Sequence, residues 1–74
     1  NENEIKLYPN PTNSILNIEM TQNIKQASVY SILGKEVIRT ENKQIDVSRL
    51  PNGVFLIKIE DENGNVSTKR FIKE

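Results

Sequence analysis

The sequence predicts an all-β domain, a small immunoglobulin-like antiparallel β-sandwich of six to seven strands with no disulfide. Three observations predict it. Apolar residues alternate with polar ones in several runs, the period-two pattern of half-buried strands. Gly, Pro, Asn and Asp recur at short intervals in orders that suit turns. No segment sustains the 3.6-residue period of an amphipathic helix. Short strands punctuated by turn signals pack as a sandwich or a barrel.

In chain order, Asn1 to Glu4 reads as a linker remnant and residues 5–74 as one domain. Ile5-Lys6-Leu7-Tyr8 is a short alternating run. Pro9-Asn10-Pro11-Thr12-Asn13 ends it, because two prolines fix φ and remove two backbone donors, giving a rigid extended loop. Ser14 to Met20 places Leu16, Ile18 and Met20 on one face and Asn17 and Glu19 on the other. Gln26 to Leu33 is rich in β-branched and aromatic residues, and Glu36 to Glu41 resumes the pattern after Gly34-Lys35, so the two read as a hairpin. Ile45 and Val47 mark a short strand, and Ser48 to Gly53 a turn. Val54 to Glu60 is the strongest strand, with Phe55, Ile57 and Ile59 on one side. Asp61-Glu62-Asn63-Gly64 reverses the chain into a last strand, Asn65 to Lys73. The expected core is Leu16, Ile18, Val29, Ile32, Val37, Phe55, Ile57 and Ile59. Gly34, Gly53 and Gly64 stand where tight turns need positive φ.

Composition narrows the function. The chain has 74 residues, enough for one domain with a thin core and little room for a deep active site. With no Cys there is no thiolate nucleophile or zinc–thiolate cluster, and with no His the commonest general base and metal ligand is missing. Ten basic and ten acidic residues cancel, so nucleic-acid binding has no electrostatic footprint. No apolar run is long enough to span a bilayer, so no direct membrane insertion is expected. The start is polar and acidic, unlike a signal peptide, so any export signal is expected elsewhere in a longer precursor, or in this segment itself. No cofactor is implied.

The constellations that could carry chemistry each have a plainer reading. Asp61 to Asn65 offers oxygen ligands followed by Gly, as a calcium loop does, but Ile72 stands where the closing Glu would be needed, which favours a solvated turn. Ser14, Ser28, Ser31, Ser48 and Ser67 have no His to activate them, and no Ser-x-x-Lys spacing occurs. Asp46 with Glu41 or Glu60 would need a cleft to act as a carboxylate pair. Asn65-Val66-Ser67 has the form of a glycosylation sequon, expected by chance on a surface strand. Tyr8 and Tyr30 could stack on a sugar, but two aromatics in a small core serve packing more often. Lys69, Arg70 and Lys73 form a basic terminal segment, read as exposed charge that protects an edge strand from further pairing.

Four strings, in order, resemble one family. Leu7-Tyr8-Pro9-Asn10-Pro11-Thr12-Asn13 with Leu16-Asn17-Ile18 resembles the opening motif of the type IX secretion system C-terminal sorting domain. Val29 to Val37 is similar to its strand, glycine turn and returning strand. Ile45 to Ile59 resembles its Leu-x-x-Gly-Val-Tyr motif, here carried by Leu50, Gly53 and Phe55 with Ile57 beyond, and Phe55 stands where Tyr is commoner. Lys69-Arg70-Phe71-Ile72-Lys73 resembles the basic–apolar terminal strand, with Glu74 after it. The resemblance implies a non-catalytic sorting signal on an N-terminal cargo domain. The precursor would cross the periplasm, meet the outer-membrane translocon, and be attached to the surface or released after cleavage by a surface sortase. It also implies that residues 69–73 form the segment recognised by translocon or sortase and that Pro9, Asn10 and Pro11 are motif residues, of which the two prolines make a stiff entry that fixes the linker against the sheet. The alternatives are a carbohydrate-binding or adhesion sandwich, which would call for an exposed aromatic platform, and a structural spacer.

Overall fold

The structure, a computed structural model, describes residues 5–9 and 12–74. Asn1 to Glu4, Asn10 and Pro11, and with them the linker reading and part of the proline loop, lie outside the described residues. Seven strands succeed one another: β1 Lys6–Tyr8, β2 Ile15–Glu19, β3 Ile24–Ser31, β4 Glu36–Thr40, β5 Gln44–Asp46, β6 Gly53–Asp61 and β7 Val66–Lys73. They form two antiparallel sheets, a three-stranded one ordered β1-β2-β5 and a four-stranded one ordered β4-β3-β6-β7. No helix occurs among the described residues.

The alternation read from the sequence sets which face turns inward. Leu16 and Ile18 of β2 and Ile45 of β5 point from the smaller sheet into the interior. Ala27 and Val29 of β3, Phe55, Ile57 and Ile59 of β6, and Phe71 of β7 point from the larger sheet to meet them. Ile5 and Val47, just outside β1 and β5, complete this buried set, and Leu7, Met20, Ile24, Ile38 and Leu50 pack around it.

Two expected core residues are not buried, and the β3–β4 hairpin explains both. β3 stops at Ser31, where the chain turns: the Ser31 carbonyl accepts from the Gly34 amide at 2.9 Å, and the Ser31 amide donates to the Lys35 carbonyl at 2.8 Å. Ile32 and Leu33 therefore sit at the hairpin tip, 70% and 92% exposed. Gly34 makes this turn at φ +90°, a conformation that a side chain bearing Cβ adopts only with strain. In β4, Val29 faces Ile38 but Tyr30 faces Glu36, so Val37 is the extra residue of a β-bulge. The bulge turns Ile38 toward the core and leaves Val37 38% exposed.

A segment between β1 and β2 ties the two sheets together. Thr12 is buried, donates its amide to the Ile72 carbonyl and accepts the Glu74 amide, each at 2.9 Å, as a parallel bridge beside Lys73. Its hydroxyl donates to the Ile15 carbonyl at 2.9 Å, closing the approach to β2. The end of β7 is thus held from both sides, by β6 and by Thr12.

Candidate recognition surface

β7 forms because Val66 to Lys73 can run fully extended beside β6, with Phe55 opposite Phe71, Ile57 opposite Lys69 and Gly53 opposite Lys73. The reversal before it is built by Asp61. Its Oδ1 accepts the amides of Asn63 and Asn65, both at 2.9 Å, and its Oδ2 accepts the Asn65 side-chain amide at 3.2 Å. The Gly64 amide meanwhile donates to the Asp61 carbonyl at 3.1 Å. Burial alone would push the Asp61 carboxyl up, but the hydrogen bonds from Asn65, Asn63 and Gly64 outweigh it and hold the carboxyl below its ordinary value. The carboxylate is therefore committed to the turn.

Pleating separates the five residues of the basic terminal segment. Lys69, Phe71 and Lys73 lie on the inner side of the sheet, and Arg70 and Ile72 on the outer side. Phe71 is a core residue, stacked on Phe55 with ring centroids 5.8 Å apart and planes 24° off parallel. Lys73 is 6% exposed, with its Nζ 3.1 Å from the Glu74 carbonyl it donates to. The expectation that Lys73 is a solvated charge is therefore wrong. The lysine has the inward phase of Phe71, stands opposite Gly53, and its backbone runs beside the Thr12 bridge. Lys69 and Arg70 are exposed, and Ile72, 42% exposed, lies beside Val54 on the outer face. The exposed side chains of this segment are thus Lys69, Arg70 and Ile72, while Phe71 and Lys73 are buried.

The other motif residues take up framework positions. Pro9 is exposed, Leu50 packs on the core edge, and Phe55 and Ile57 are buried within it. Gly53 opens β6 at φ +147°, opposite Lys73. Nothing in the local sequence marks Thr12 as a bridge between distant strands. Its partners, Ile72 and Glu74, are at the far end of the chain, and no local pattern encodes that pairing.

Among the described residues no group of three or more His, Cys, Asp or Glu is placed to hold a metal ion. Asp46 is on β5 of the smaller sheet and Glu60 on β6 of the larger one, where its carboxylate lies 3.9 Å from Lys25 Nζ. The Asp46 carboxyl is held low by the Ser48 hydroxyl and then by the Ser48 amide, which donates to Oδ1 at 2.9 Å, with Arg49 adding a smaller pull against a slight cost of burial. Tyr8 is exposed on β1 of the smaller sheet and Tyr30 is half-buried on β3 of the larger one, with its hydroxyl 3.5 Å from Glu36 Oε1, so the tyrosines form no common platform. A hollow lined by Ile5, Met20, Ile59, Asp61, Asn65 and Ser67 has Asp61 as its one titratable side chain, and that carboxylate is spent on its turn. No helix among the described residues is long and apolar enough to cross a membrane.

Compared with protein-family models, residues 6–74 match the secretion system C-terminal sorting domain. The match runs from the first residue of β1 through the whole of β7. No curated protein matches the sequence.

Proposed function

The chain belongs to the family of secretion system C-terminal sorting domains, and on that premise we propose how it works as the type IX sorting signal of an exported cargo. The domain catalyses nothing and serves as a ligand. It is carried at the C-terminal side of a cargo domain in one precursor, crosses the periplasm with it, and is bound by the outer-membrane translocon. A surface sortase then removes it, and the cargo is attached to the cell surface or released.

The observation that carries this reading is the family match across both sheets, residues 6–74. The surface chemistry supports it. The polar groups with strongly shaped environments, Asp61 and Asp46, are engaged in turns, while Lys69 and Arg70 of β7 face solvent. Such a molecule offers features to a binding protein, not a cleft to a substrate. Recognition is assigned to the exposed part of β7, Lys69, Arg70 and Ile72.

The test is fusion of residues 1–74 to a reporter bearing a signal peptide, in a host with the type IX system and in the same host lacking its translocon. Surface or medium delivery in the first and periplasmic accumulation in the second is the expected pair. Equal distribution in both hosts refutes the reading. Mass spectrometry of the delivered reporter then reports on sortase removal, which predicts a product lacking β1 to β7.

A further inference from the structure

The outer edge of β7 is divided into a closed and an open part. In the turn before it, Asp61 and Asn65 are hydrogen-bonded partners, the Asp61 amide donating to the Asn65 carbonyl at 3.0 Å. Along the antiparallel ladder beyond that turn, the odd-numbered residues of β7 bond β6 and the even-numbered ones turn their backbone groups outward. The Thr12 contacts agree, because they fall on the Ile72 carbonyl and the Glu74 amide. That end is closed. At Thr68 and Arg70 no described strand pairs with the outward N–H and C=O groups.

The side chains flanking this open part are cationic on both faces. Lys69 leans to the inner side and Arg70 to the outer side, and both are exposed. The ion pairs among the described residues are Lys25–Glu60 and Arg39–Glu36, so neither Lys69 nor Arg70 is neutralised by one. A chain laid along this edge would meet one cation on each of its faces at neighbouring positions.

We propose that the open edge of β7 takes an extended acidic segment of a partner protein as a fifth strand of the larger sheet, with two successive acidic residues opposite Lys69 and Arg70. This rests on the assignment of recognition to β7 and names the partner chemistry. The alternating donors and acceptors of the edge select a peptide. A phosphate-bearing polymer or lipid surface supplies acceptors only, and leaves the outward carbonyls of Thr68 and Arg70 unmet. Successive acids are required because consecutive residues of a strand point to opposite faces. The Thr12 bridge sets the limit of the site, since an added strand must stop before Ile72.

The test uses the whole chain and two capped peptides, Thr-Val-Thr-Asp-Glu-Val-Thr-Val and the same peptide with Lys-Lys in place of Asp-Glu. Amide hydrogen exchange is monitored residue by residue by NMR. At millimolar acidic peptide the amides of Thr68 and Arg70 should exchange at least about tenfold more slowly, those of the β4 edge should be unchanged, and added salt should weaken the effect. Arg70→Glu should weaken binding roughly tenfold by setting like charges opposite each other. Thr68→Pro removes one outward N–H, a change edge strands tolerate, and should also weaken binding while the protein still melts cooperatively. Equal protection by the Lys-Lys peptide, binding of the acidic peptide without protection at Thr68 and Arg70, or no binding at millimolar concentration each overturns the proposal. Reporter delivery in the type IX host is independent of this assay, so failure of the peptide with normal delivery removes the edge mechanism and leaves the sorting function standing.

Discussion

Lys69 and Lys73 are both lysines of β7, four residues apart and on the same side of the sheet, yet the structure gives them opposite roles. Replacing each by Glu separates those roles. Lys69 is exposed and unpaired by any described acid, so Lys69→Glu should cost no more than about 1 kcal/mol. Lys73 is 6% exposed, lies beside the Thr12 bridge, and donates to the Glu74 carbonyl. A carboxylate there loses the packing of the lysine stem, faces that carbonyl with no proton to donate, and stays buried without a cation, a loss of about 3 kcal/mol or more. A domain of 74 residues has a total stability of about 4–11 kcal/mol, so Lys73→Glu should remove a large share of it. At about 4–8 °C per kcal/mol for this size, Lys73→Glu should lower Tm by about 12–24 °C and Lys69→Glu by less than about 8 °C. Lys73→Met keeps the apolar stem and should lie between the two. Circular dichroism melts at neutral pH and low salt measure all three. If Lys73→Glu melts within about 3 °C of Lys69→Glu, Lys73 is a solvated charge after all and the closed end of β7 is wrongly described.

Other parts of the fold yield three more expected outcomes. Phe71→Ala should destabilise by about 3–5 kcal/mol in urea titration, because it empties a buried site stacked on Phe55, whereas Ile72→Ala on the outer face should cost less than half as much; equal losses would contradict the alternation of β7. Gly34→Val should lower stability by about 1–3 kcal/mol through backbone strain at φ +90°, since no neighbour would clash with the added Cβ, and unchanged melting would refute the positive φ. Asp61 has its carboxyl pKa lowered on folding, so its stabilisation is full above the unfolded value of about 3.9 and is lost as pH falls through the folded value. The Tm gap between wild type and Asp61→Ala should therefore be constant from pH 7 to 5 and shrink below about pH 4; a gap that grows with acid would reverse the assigned sign.

Much of the fold is written locally. The β2 residues Leu16 and Ile18 and the β6 residues Phe55, Ile57 and Ile59 alternate cleanly with less buried neighbours, so their inward direction is legible without a structure. The hairpin tip is not. Ile32 extends the apolar run of β3, and what exposes it is a turn begun by Ser31 and Gly34, just before the bulge that displaces Val37. Apolar character marks a strand but not where it stops, and a one-residue bulge reverses the phase of every residue beyond it in the strand.

In the basic terminal segment the charges are legible in the sequence and the burial of Lys73 is not. Charge suggested that Lys69, Arg70 and Lys73 form one exposed group. The phase of Phe71 already argued otherwise, because Lys73 is two residues on and shares its face. Lys73 also lies beside the Thr12 bridge, a contact between residues far apart in sequence that local patterning cannot carry. That contact closes the Ile72–Glu74 end of the β7 edge.

As a type IX sorting signal, this folded sandwich should itself suffice to send a cargo across the outer membrane. That sufficiency is tested most directly by the fraction of a signal-peptide-bearing reporter, fused to residues 1–74, that added protease can reach on intact cells or that is found in the medium. Most of the reporter should be outside in a type IX host, and nearly all of it should be periplasmic when the translocon gene is deleted. A reporter that stays periplasmic in the intact host, with the fused domain shown to be folded by its protease resistance in lysates, would contradict it.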